Sequence, residues 1–221
     1  MRKIEFAIGE YYHILNRGVD KRIVFNDEMD YRRFLLSMNL LNDEKDGLMA
    51  AWKDFRKYRP RARLWDFPKL KVKSKPLVEF VAYCLNPNHY HLIVRQLREK
   101  GIEKFMHKLG TSYTHYFNNK NERTGSLFQG KFKAVHINSN SYLLYLSAYV
   151  NNNHFIHGYK NREWKYSSLP DYFGIRDSKI CNKDVILSQF DYRFDEYKDF
   201  VMENSLYMKE KKELEKLLLE D

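Results

Sequence analysis

The feature that most constrains this chain is a nine-residue run, LVEFVAYCL at 77–85, apolar at every position but Glu79. A strand that is apolar on both faces must be covered on both faces, so this run belongs at the centre of a sheet with further layers on either side. It ends at Asn86-Pro87-Asn88, a turn-forming triplet, and a second strand-like run follows at once, HYHLIV at 89–94. The pair predicts an antiparallel hairpin at the heart of the fold.

The rest of the chain arranges itself around that hairpin. YYHILNR at 11–17 reads as an opening strand closed by Gly18. Asn26 or Asp27 can cap a helix that carries Tyr31, Phe34, Leu35, Met38 and Leu41 at helical spacing. Gly101 to Asn119 has Ile102, Phe105, Met106, Leu109 and Tyr113 along one side, and SLFQGKFKAVHI at 126–137 reads as a further strand region. Ser139 or Asn140 caps a helix running to about Asn152, with Leu143, Leu146, Tyr149 and Val150. Residues 154–184 look irregular, and Leu206 to Glu220, rich in Lys, Glu and Leu, reads as a helical tail. Strand, helix, strand–strand, helix, strand, helix gives an α+β domain with a largely antiparallel sheet.

Charge narrows the partners. The formal net charge is +10, and a basic surface that neutralises phosphates releases counterions, so nucleic acid leads. Ten of the cations fall between Lys53 and Lys75, against only Asp54 and Asp66. This segment reads either as a solvated surface loop or as a phosphate-tracking arm, with Trp52, Phe55, Tyr58, Trp65 and Phe67 available for base stacking. The two cysteines, Cys84 and Cys181, form no CxxC, which excludes a cysteine zinc finger and suits a reducing cytoplasm. No stretch approaches the ~20 apolar residues that cross a bilayer, so no membrane association is expected.

Three segments carry candidate chemistry. In a strand, His89 and His91 project to the same face while Tyr90 projects to the other, and two converging imidazoles can begin a divalent-metal site. Tyr149 and Asn153 share a helix face if the last turn stays helical, offering a phenol nucleophile and an amide ligand. Tyr142 and Tyr145 lie near that face too, and a core aromatic is the commoner fate of a tyrosine there. In the 126–133 segment Gly130 marks a bulge or a close approach, with Lys131 and Lys133 on one strand face.

In chain order, YHILNRG at 12–18, AYCLNPNHYHLIV at 82–94, LFQGKFK at 127–133, and YLL at 142–144 running on to YVNNN at 149–153 resemble the single-tyrosine HUH transposases of small insertion sequences, especially the REP-associated tyrosine transposases. The resemblance covers roughly residues 9–174. It implies a ferredoxin-like antiparallel sheet with packed helices, the HUH endonuclease fold, here with a C-terminal helical tail. It makes residues 1–180 the transposase domain, with a basic insertion at about 44–75, and 181–221 a helical extension. It implies that His89 and His91 bind Mg²⁺ or Mn²⁺ with Asn153 as third ligand, and that Tyr149 is the nucleophile.

The activity implied is nicking and rejoining of single-stranded DNA at hairpin-forming ends or repeats, through a 5′-phosphotyrosine. Arg17, Arg22, Lys131 and Lys133 are the candidate phosphate contacts, and monomer and homodimer are both open. The family usually has a proline after the asparagine, where this chain has His154. Without it the helix has no enforced stop, and His154 becomes a rival ligand. That departure leaves room for a non-catalytic DNA- or RNA-binding regulator on the same fold. A His-x-His hydrolase unrelated to nucleic acid fits the charge less well.

Overall fold

The computed structural model describes residues 4–67, 75–159 and 164–217. Four strands, β1 (Tyr11–Arg17), β2 (Val78–Asn86), β3 (His89–Gln96) and β4 (Lys133–Ile137), form one sheet in the order β2-β3-β1-β4. Every neighbouring pair is antiparallel. The order follows from two crossovers, α1 (Glu28–Leu41) between β1 and β2 and α3 (Gly101–Lys120) between β3 and β4, around the expected β2–β3 hairpin. This is the ferredoxin-like arrangement.

Strand alternation splits the core in two. Tyr12, Ile14, Tyr90, Leu92 and Val94 join Phe34 and Met38 of α1 and Ile102, Phe105 and Leu109 of α3 in one cluster. Cys84, Ile93 and Val81 face the other way and pack with α4 (Asn140–Asn151) and α8 (Phe194–Leu217). β2 is an edge strand and not the central one its apolar run suggests; the run is explained because both of its faces are covered and its outer edge is met by Tyr166, Ser168 and Asn182. A β-bulge between Phe80 and Ala82 resets the phase of β2. Because of it, Cys84 and Asn86 lie beside His91 and His89 and not on the opposite face.

Capping agrees with the sequence. The Asp27 carboxylate accepts from the Asp30 amide at the start of α1, and the Ser139 hydroxyl accepts from the Tyr142 amide at the start of α4. Past α4 come three short helices, α5 (Asn153–Ile156), α6 (Leu169–Tyr172) and α7 (Asp184–Leu187), in the region that reads as irregular.

Three expectations shift. Ser126–Phe132 is not ladder strand. It is a loop tied to the end of β1 by the Gln129 amide on the Arg17 carbonyl (2.8 Å) and the Val19 amide on the Leu127 carbonyl (3.0 Å). Gly130 adopts φ +69°, a left-handed turn that breaks the alternation. The basic segment holds α2 (Leu48–Tyr58), whose Trp52 is buried with Leu40, Leu48 and Phe67 in a small satellite core. Trp52 and Phe67 are therefore packing residues, while Tyr58 is exposed. Lys69, Lys71 and Lys73 lie outside the described residues, as do residues 218–220 of the tail.

The C-terminal helix begins at Phe194, upstream of the stretch that reads as helical, and buries Tyr197, Val201, Ser205 and Met208. The Tyr197 hydroxyl accepts from the Asn151 side-chain amide (2.7 Å) and donates to the Ser147 hydroxyl (3.1 Å). Both partners belong to α4.

Candidate active site

The histidines of β3 meet the expectation that i and i+2 share a face. Their rings lie 5.1 Å apart, edge to face, on the side of the sheet covered by α4 and α5. Tyr90 between them points into the opposite core against Phe34 and Phe128. Both imidazoles are nearly out of solvent. Burial lowers the His89 pKa to about 4, although its contact with the Asn153 side chain pulls the other way. His91 is held well below its ordinary value, chiefly by burial and then by its neighbours His13, His89 and His157. Neutral imidazoles keep the lone pairs that a cation requires.

His89 also shows which nitrogen carries that lone pair. Its Nδ1 lies 2.6 Å from the Asn88 side-chain oxygen, an acceptor, so Nδ1 bears the proton. Nε2 is then an acceptor, and it stands 3.3 Å from the Asn153 Oδ1, a second acceptor. Asn86 holds this pair of lone pairs together: its Nδ2 donates to Asn153 Oδ1 (2.6 Å) and to His89 Nε2 (2.9 Å). The Asn153 Nδ2 is buried with no hydrogen-bond partner. Two lone pairs aimed at one space, on side chains with no net charge, are a donor set that suits a divalent cation. Among the described residues no three His, Cys, Asp or Glu side chains form a group that could hold a metal ion; the oxygen donor beside His89 is the Asn153 amide.

Tyr149 reaches this place from α4. Its ring stands edge-on to His91 (centroids 5.5 Å, 87°) and to His13 (6.1 Å, 82°). Burial raises the phenol pKa, and the nearby Asn153 side chain opposes the rise. The α4 helix ends at Asn151, and α5 resumes at Asn153 after a kink at Asn152. Thus Asn153 stays in reach of Tyr149 without a proline to end the helix. His154 goes elsewhere: it is buried and stacked against Trp164 at 5.9 Å. Tyr142 and Tyr145 are not among the residues lining the cavity beside the histidines.

That cavity holds about 250 Å³ and is lined by Leu15, Asn16, Arg17, His89, His91, Gln129, Lys133, Tyr149 and His157. Of the four candidate phosphate contacts, Arg17 and Lys133 line it. Lys131 faces a neighbouring groove of about 810 Å³ between α3 and the 126–132 loop. Arg22 lines neither, and its Nε donates to the Val19 carbonyl. Sequence reasoning missed His13, Asn86, Asn88 and His157. His157 could have been found as the residue one turn beyond Asn153, and its ring lies 4.8 Å from His89.

Residues 62–153 match the family model described as "Transposase IS200 like". No curated protein matches the sequence. A solved structure of a REP-associated tyrosine transposase bound to a REP hairpin shares the fold at a TM-score of 0.52. Identity is 11%, over 82% of this chain and 96% of that one. Over residues 62–153 the sequence is thus similar to the IS200-like transposases, and the chain shares its fold with a REP-associated tyrosine transposase.

Proposed function

We propose that this protein nicks and rejoins single-stranded DNA at hairpin-forming ends or repeats, with Tyr149 as nucleophile and a divalent cation, Mg²⁺ or Mn²⁺, held by His89, His91 and Asn153. The observation that carries the proposal is the meeting of a phenol with two neutral imidazoles at one cavity, from chain segments far apart in sequence, with the buried Asn153 amide oxygen 3.3 Å from His89 Nε2. When bound, the cation supplies Lewis acidity toward the scissile phosphate.

The chain's own residues supply the rest. Arg17 and Lys133 border the cavity and suit the DNA backbone. Tyr149 is protonated at rest, since burial raises its pKa, and must release its proton as it attacks. Its oxygen bonds to phosphorus, the P–O3′ bond breaks, and the departing 3′ oxygen takes up a proton. The phosphotyrosine ester conserves the bond energy, so a second 3′-OH can reverse the step without ATP.

Hairpin DNA as substrate is supported by the hairpin-bound relative of the same fold. Among the described residues no helix is long and apolar enough to cross a membrane, which fits the cytoplasmic setting we propose. The test is an end-labelled hairpin oligonucleotide incubated with protein and Mn²⁺. The native protein should form an adduct that survives denaturing electrophoresis, Tyr149→Phe should form none while still binding, and His89→Ala should lose metal-dependent cleavage. An adduct with Tyr149→Phe would show that another residue attacks. Binding without cleavage by the native protein would leave only a regulator.

A further inference from the structure

We infer that His13 is a positioning residue for His91, fixing which nitrogen of that imidazole is left to bind a cation. The inference rests on the reading of His89 and His91 as metal ligands. His13 Nε2 lies 2.8 Å from His91 Nδ1, both rings are buried, and they stack at 5.1 Å with an 18° tilt. The backbone builds the contact. In the β1–β3 ladder His13 pairs with Ile93 and Leu15 pairs with His91, so the two histidines are diagonal neighbours on one face.

A 2.8 Å contact between two neutral imidazole nitrogens holds one proton. If it sits on His91 Nδ1, then His91 Nε2 keeps its lone pair for the cavity that His91 lines. If it sits on His13 Nε2, His91 carries its proton on Nε2, where it would oppose a cation. Metal-binding histidines ordinarily donate their other N–H to an outer partner, commonly a carboxylate or a carbonyl. His89 does this through Asn88, and His13 is the corresponding acceptor for His91. The His13 ring also stands against Tyr149, so it borders the phenol as well.

Two readouts test this. Long-range ¹H–¹⁵N correlation spectra of the metal-free protein report the His91 tautomer, which should be Nδ1–H. Titration calorimetry with Mn²⁺ alone should show about 10–100-fold weaker binding for His13→Phe, which fills the space without an acceptor. His13→Gln, whose amide oxygen can take the same proton, should restore most of the affinity. An Nε2–H tautomer in the native protein overturns the inference, and no variant need fold to see it. So does equal Mn²⁺ affinity for a folded His13→Phe and the native protein, provided that His89→Ala binds more weakly than both. If His89→Ala binds Mn²⁺ as tightly as the native protein, the metal-site reading itself fails and takes this inference with it.

Discussion

Asn86 offers the sharpest test of the donor arrangement, through replacement by leucine, which keeps the branched shape and removes the amide. Its Nδ2 is the hydrogen-bond donor shared by His89 Nε2 (2.9 Å) and Asn153 Oδ1 (2.6 Å), and the side chain is fully buried. In Asn86→Leu two buried acceptors face each other across 3.3 Å with no proton between them. An unsatisfied buried polar group costs about 1–3 kcal/mol, so the pair should cost about 2–6 kcal/mol. For a chain of this size each kcal/mol moves the melting temperature by about 2–4 °C, which predicts a fall of roughly 4–24 °C.

The assay is thermal denaturation at pH 8, where both histidines are neutral in either state, with EDTA and then with excess Mn²⁺. If His89 and Asn153 hold a cation, it has to displace the Asn86 amide in the native protein, at least from the single lone pair of His89 Nε2. In Asn86→Leu it meets them bare. Mn²⁺ should therefore raise the variant's melting temperature more than the native protein's. Coincident melts in EDTA would refute the claim that Asn86 satisfies these acceptors. Equal Mn²⁺ shifts would refute the claim that a cation uses the same two lone pairs.

Acidification should unfold the metal-free protein early. His13, His89 and His154 have folded pKa values lowered to about 4 by burial, against 6.5 when exposed. The unfolded chain then binds more protons than the folded one between those limits, so stability is complete above pH 6.5 and is lost as pH falls toward 4, by roughly 2 kcal/mol per histidine at pH 5. Urea unfolding at pH 7.5 and pH 5 measures this, and equal midpoints would contradict it. Gly18→Ala should cost about 1–3 kcal/mol, because the added Cβ would sit 2.3 Å from the Arg22 carbonyl oxygen and 2.8 Å from a Val24 methyl. A chemical denaturation curve unchanged from the native one would show that the turn yields freely. Tyr197→Phe leaves the Asn151 amide and the Ser147 hydroxyl without their shared partner and should cost about 1–3 kcal/mol, visible in the same curve.

What could be read from the residues is what regular periodicity writes down. The alternation of His89, Tyr90 and His91 gave the shared face, and the doubly apolar β2 gave the layers on both sides of the sheet. The caps at Asp27 and Ser139 marked α1 and α4 to within a residue. Asn86 was hidden because a bulge shifts β2 by one residue, so counting in twos from Phe80 puts Asn86 in the wrong layer. His13 was hidden because its partner lies on another strand, and the pairing of β1 with β3 is a property of the whole sheet. The satellite core around Trp52 was hidden for a third reason: its cations sit on the surface of a helix whose buried face is only Leu48 and Trp52.

The place of α4 carries a consequence for stoichiometry. That helix is sandwiched by its own polypeptide, with the sheet on one side and the C-terminal helix on the other, and Tyr197 grips it through two polar contacts. Trading α4 with a neighbouring copy would first require prising off Tyr197 and Val201, which are fully enclosed. Each polypeptide thus keeps its own Tyr149 phenol beside its own His13 and His91 imidazoles.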